Sequence, residues 1–182
     1  MPIKMNLNKI LQINFLILVL VSGFVCISCH AQKYDKQGGF YKGLAKVSKN
    51  NKYGFIDKNG KEVIPLIYDG TGELLYYNRI WVCKVNKTGD LKYGFVDKSG
   101  KEVIPLTYDG ASDFKEGIAV ACIAKKIQNN YDIKCGMIDT LGNTIIPFHY
   151  DHLESIEADL IPAELNGKWG FINRNNIEII PF

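Results

Sequence analysis

An all-β chain of four tandem units is the fold that the 182-residue sequence predicts. Three observations lead to it. One pattern occurs four times, with its glycines at Gly54, Gly94, Gly136 and Gly170, spaced by 40, 42 and 34 residues. Each copy alternates side chains with the period of a strand, so that Tyr53 and Phe55 share one face and Gly54 and Ile56 the other. Each copy also places turn residues at fixed offsets, as a hairpin requires. No helical periodicity follows residue 31.

The first element is a leader, residues 1–31, which carries no Asp or Glu. Lys4 and Lys9 precede an apolar run from Phe15 to Ile27, and small or polar residues follow. That order predicts a secretory signal peptide rather than a retained span, because Gln12 and Asn14 weaken the stretch as a membrane helix. Two cleavage sites compete. Cys26-Ile27-Ser28-Cys29 is similar to a bacterial lipobox, in which the last Cys is lipidated, although Cys26 is atypical at its position. Cleavage after Ala31 is the alternative and predicts a soluble exported form.

Residues 32–182 then hold the repeat domain, with units starting near Tyr34, Tyr68, Tyr108 and Tyr150. Each of these tyrosines precedes an Asp, and Tyr34 to Gly43 matches Tyr108 to Gly117, with Phe40 standing where Phe114 stands. Leading strands are expected at 44–47, 80–85, 118–124 and 160–165. A hairpin follows each one, so a unit reads as a three-stranded antiparallel meander. Asp57-Lys58-Asn59-Gly60 has the chemistry of a turn closed by a residue of positive φ, and Asn176 takes the glycine's place in the fourth copy. Pro65 ends the short third strand, since it cannot donate to a ladder. One meander buries too little apolar surface to stand alone, so the units must stack. An open array is expected, with a closed four-bladed propeller-like ring as the alternative.

The repeated segments Lys168-Trp169-Gly170-Phe171-Ile172, Lys52-Tyr53-Gly54-Phe55-Ile56 and Lys92-Tyr93-Gly94-Phe95-Val96 resemble the WG, or KWG, repeat. The downstream Asp-x-x-Gly, Val-Ile-Pro and Tyr-Asp elements fit as well. The third copy departs most, with Cys135 in the aromatic slot and Met137 for Phe. The resemblance implies a β-rich, exported bacterial repeat protein with no assigned catalytic residues.

Composition removes several function classes. Lys plus Arg number 22 and Asp plus Glu 19; without Lys4 and Lys9 the basic residues fall to 20, interspersed with the acids. No basic stripe remains for nucleic acid. Phosphate-cradling glycine loops, Gly-x-Ser-x-Gly and His-Glu-x-x-His do not occur. Gly38-Gly39 falls in an inter-unit loop. Residues that recur in every unit read as structural: Asp57, Asp97 and Asp139 as turn residues, and Asp35, Asp69, Asp109 and Asp151 as caps between units.

Functional candidates come from what does not repeat. Tyr76, Tyr77, Arg79 and Trp81 would suit a binding surface for protein or sugar. His149 and His152, near Glu154, Glu157 and Asp159, point to opposite faces of an extended chain, so no metal site is assigned. Cys122 and Cys135 could face each other across a hairpin turning near Gln128-Asn129 and form a disulfide, which leaves Cys83 alone. The expected function is a non-catalytic binding or scaffolding module of the cell envelope. It would meet an envelope protein or glycan and touch the membrane only through a lipid on Cys29. No cofactor and no nucleic acid are expected. The alternative is an envelope hydrolase acting on glycan or peptide with carboxylates from the third and fourth units.

Overall fold

A computed structural model describes residues 33–72 and 76–182. The predicted leader, with the lipidation position Cys29, lies outside the described residues. Among the described residues every regular element is a strand.

Sixteen strands form four antiparallel sheets, one per unit. The first sheet holds β1 (Lys36–Tyr41), β2 (Leu44–Lys49), β3 (Lys52–Asp57) and β4 (Glu62–Tyr68). The second holds β5 (Gly70–Thr71), β6 (Ile80–Val85), β7 (Leu91–Val96) and β8 (Glu102–Tyr108). The third holds β9 (Gly110–Ala111), β10 (Ile118–Ile127), β11 (Asn130–Asp139) and β12 (Thr144–Tyr150). The fourth holds β13 (His152–Leu153), β14 (Ile161–Leu165), β15 (Lys168–Ile172) and β16 (Glu178–Ile180). Each unit therefore has one strand more than the meander expected from sequence. In three units this strand is two residues long, too short for alternation to reveal, and it pairs with the second strand, as Gly70 does with Cys83. In the first unit it is β1, and Gly38-Gly39 form an irregularity inside it rather than a loop between units.

The repeated glycine has a steric cause. Tyr53 pairs with Tyr68 and Phe55 with Ile64, so Pro65, Leu66 and Ile67 bulge opposite Gly54. A Cβ on Gly54 would sit 2.5 Å from the Ile64 carbonyl oxygen, and at Gly94, Gly136 and Gly170 the same contact would be 2.6 Å. Pro65 does not end its strand as the sequence suggested: β4 runs on to Tyr68, because the bulge gives the proline a place where no ladder donor is required.

The turns follow the sequence. Asp57 Oδ1 accepts from the N–H groups of Asn59 (2.8 Å) and Lys61 (2.9 Å). Asp97, Asp139 and Asn173 make the same two bonds. Asn176 adopts φ 61° in the glycine's place, and its Oδ1 accepts from Tyr150 Oη (2.7 Å).

Successive sheets stack in chain order, and no barrel closes among the described residues. The strands β7 and β11 of the second and third units are buried on both faces, whereas in β15 of the fourth Trp169 is half exposed. Phe95 packs forward on Ala119, Ala121 and Ile138 of the third unit, while Val96 packs back on Phe55 and Ile64 of the first. Met137 and Ile138 divide the same way, which shows that Met fits the slot of Phe. Phe114 packs against Phe95 of the preceding unit, ring centroids 4.8 Å apart, whereas its counterpart Phe40 is 51% exposed.

The Tyr-Asp aspartates clamp neighbouring units. Asp69 accepts Lys52 Nζ from the first unit and the Val85 N–H from the second. Asp109 takes Lys92 and the Ala124 N–H, and Asp151 takes Lys134 with the N–H groups of Asn166 and Gly167. The hydrogen bond from Lys52, then that from Val85, holds the Asp69 carboxyl below the usual range, and Lys134 does the same for Asp151.

Candidate binding groove

A groove of about 580 Å3 lies where three units meet. Tyr76 and Tyr77 come from the second unit, Asp113, Phe114, Lys115 and Glu116 from the third, and Ser155 from the fourth. Each contributing hairpin tip is a two-residue turn with both φ values positive: Tyr77-Asn78 (49° and 59°), Glu116-Gly117 (50° and 83°) and Ala158-Asp159 (49° and 63°). Such turns match the twist of the strands they join.

The tips reach across unit boundaries. Arg79 Nε donates to the Thr140 carbonyl of the third unit (2.8 Å), and its Nη1 donates to the Asn78 carbonyl (3.0 Å). One unit further on, Glu116 accepts from Arg174 Nη2 of the fourth unit (2.8 Å). These bonds hold the groove walls in register. Phe114, 2% exposed, forms the floor. Tyr76 and Tyr77 are exposed aromatic walls, and Asp113, Lys115 and Glu116 supply charge of both signs. Aromatic faces with adjacent hydrogen-bonding groups suit a sugar ring or an extended peptide.

The four residues expected to form one surface are divided. Tyr76 and Tyr77 line the groove. Arg79 is engaged in the inter-unit bond. Trp81 is partly buried, tilted against Tyr93 at 5.7 Å and packed on the core between the second and third units. The groove's third-unit residues were not read from the sequence. Aligning the tips Tyr76-Tyr77, Lys115-Glu116 and Glu157-Ala158 across units is the signal that points to them.

The other candidates take these places. His149 lies against the Tyr150 ring (4.3 Å), and His152 meets the Trp169 edge (5.5 Å). Among the described residues no three His, Cys, Asp or Glu side chains gather at one point. Glu154 and His152 line a second groove of about 350 Å3 with Ser112, Cys122 and Cys135. Asp159 approaches Arg174 at 3.5 Å. Cys122 and Cys135 are directly opposite in β10 and β11, with sulfurs 2.03 Å apart, and Cys83 is buried. Asp69, Asp90, Asp97, Asp139 and Asp151 are all shifted down, opposite to what a general acid requires.

A family model described as WG containing repeat matches residues 33–53, 53–87, 93–126 and 136–169. No curated protein and no solved structure matches the chain.

Proposed function

The chain belongs to the WG containing repeat family, and on that premise we propose that it is a non-catalytic binding module of the bacterial cell envelope. Its ligand is a glycan or an extended peptide held in the groove between Tyr76, Tyr77 and Lys115. The reading retains export by the leader, with a lipid on Cys29 as the anchor.

The observation that carries it is Tyr77. A bulky residue at φ 49° is strained, and glycine would relieve that strain by about 1 kcal/mol. The same φ recurs at Lys42, Glu116 and Ala158, so the turn itself belongs to the repeat, and what sets this copy apart is the aromatic ring it carries. Here it presents a half-exposed ring at the mouth of a groove whose walls are tied across units.

The test uses the whole chain on an array of envelope glycans and peptides, with Tyr77→Gly and Tyr76→Ala beside it. Tyr77→Gly is expected to raise the unfolding midpoint while weakening capture about tenfold. Capture that ignores both substitutions would sink the groove as the site. Release of a cleaved product would sink the non-catalytic reading.

A further inference from the structure

The third unit carries a structure the others lack. β10 and β11 are ten residues each, against five or six for the corresponding strands elsewhere. Beyond the pair Cys122↔Cys135 the ladder continues through five more pairs, from Ile123↔Lys134 to Ile127↔Asn130. At about 3.4 Å per residue this arm extends roughly 17 Å. Among the described residues no strand flanks it. β9 stops at Cys122, and β12 joins only from Cys135.

The arm is apolar where nothing covers it. Ile123, Ile127, Tyr131 and Ile133 are each between 43% and 53% exposed. A two-stranded ribbon is marginal alone, and the Cys122–Cys135 link closes its base. Exposed apolar edges are normally blunted in proteins that use them for nothing.

The backbone shows which edge is open. Cys122 and Cys135 are 4.0 Å apart at Cα, the close spacing of a non-hydrogen-bonded pair. By alternation, Ala124 and Lys126 on β10 and Tyr131 and Ile133 on β11 aim their N–H and C=O groups outward. The Ala124 N–H is taken by Asp109, which guards the β10 side. The Tyr131 N–H is capped by Asn130 Oδ1 (3.0 Å). Ile133 N–H and the carbonyls of Ile133 and Tyr131 remain directed at solvent.

We propose that the outer edge of β11 accepts an extended segment of a partner protein as an added strand, one that alternates apolar and acidic side chains. Main-chain bonds to Ile133 and Tyr131 supply the pairing. The arm sets the charge preference, since Lys125 and Lys126 outnumber Asp132 along it while Lys134 is held by Asp151. A lipid surface fits less well, because open strand edges are not tolerated in hydrocarbon. The inference uses a different surface from the groove and stands or falls separately.

The test is fluorescence anisotropy with the oxidised full chain and a labelled seven-residue peptide alternating Val and Glu. Beside it run the same peptide N-methylated at alternate residues, a Val–Lys peptide, and phosphatidylglycerol vesicles. Saturable binding of the Val–Glu peptide is expected, weakened about tenfold by N-methylation and by Ile133→Pro. Amide exchange at Ile133 should slow on binding. N-methylation changes the peptide alone, so that arm of the test holds even if Ile133→Pro disturbs the ribbon. No saturable binding, equal binding of the methylated or Val–Lys peptide, or binding to vesicles alone would each overturn the proposal.

Discussion

The β6–β7 hairpin of the second unit and the β10–β11 hairpin of the third occupy the same place in the repeat, yet one cross-strand pair gives them different chemistry. Cys83 faces Tyr93 in the first, and Cys122 faces Cys135 in the second. Cys83 is enclosed, and burial with the charge of Asp69 pushes its thiol up to about 11, which makes it an inert side chain. Cys122 stands opposite a second sulfur and closes a covalent link. The Tyr93 hairpin ends at Val85↔Leu91 in a turn where Asn86 Oδ1 accepts from the N–H groups of Thr88 and Asp90. The Cys135 hairpin runs on into the arm. The same repeat position thus serves packing in one unit and tethering in the next, and the partner across the ladder decides which.

The largest expected effect should not distinguish the two hairpins at all. Gly94→Ala and Gly136→Ala each force a Cβ to 2.6 Å from a carbonyl oxygen, so each should cost about 3 kcal/mol in urea unfolding. If only one does, the shared bulge is not the common cause.

Breaking the difference comes next. Cys135→Ser removes a link with sequence separation 13, which chain entropy values at about 3 kcal/mol. Cys83→Ser should cost about 1 kcal/mol, the burial of one hydroxyl. Equal losses by thermal unfolding would mean that the tether contributes nothing beyond packing.

A third pair of variants sharpens the role of stacking. Gly60 and Gly100 share the turn position, at φ 77° and 85°, but a Cβ at Gly60 meets open space while one at Gly100 would lie 2.7 Å from the Val63 carbonyl. Gly60→Ala should cost about 1 kcal/mol from backbone strain, and Gly100→Ala about 2 kcal/mol more. Equal midpoints would show that the second turn does not bear on the first unit.

The smallest effect is in acid. Asp69 and Asp151 titrate below their unfolded values, so the unfolded chain binds those protons more readily. Their contribution is full above the ordinary Asp value of about 3.9 and is lost as pH falls through the lower folded value. Asp69→Asn should lower stability above pH ~5 and flatten the stability curve below pH ~4. A curve unchanged in slope would mean that Lys52 leaves the carboxyl unperturbed.

Much of this was legible in the residues. Asp57-Lys58-Asn59-Gly60 announced its turn, because an Asx cap and a positive-φ residue are local requirements. The period of the four units was plain. The two-residue strands were not, because Gly70–Thr71 has no alternation to read and pairs only when Asp69 brings it beside β6. Nor was the clamp from Lys52 to Asp69, whose partners are 17 residues apart and meet across a unit boundary. Trp81 looked like a binding aromatic, since its sequence context could not show that the next unit covers it.

The sequence by itself determined the all-β class, the number of units and the chemistry of the repeated Asp-x-x-Gly turn, because these depend on side-chain period and on backbone preferences within a few residues. Only the tertiary structure decided why the repeated glycine is glycine, which aromatics are buried and which line the groove, and where an edge stays open. Those outcomes depend on the register of a bulge and on which neighbouring unit lies against each face, and no local pattern encodes either.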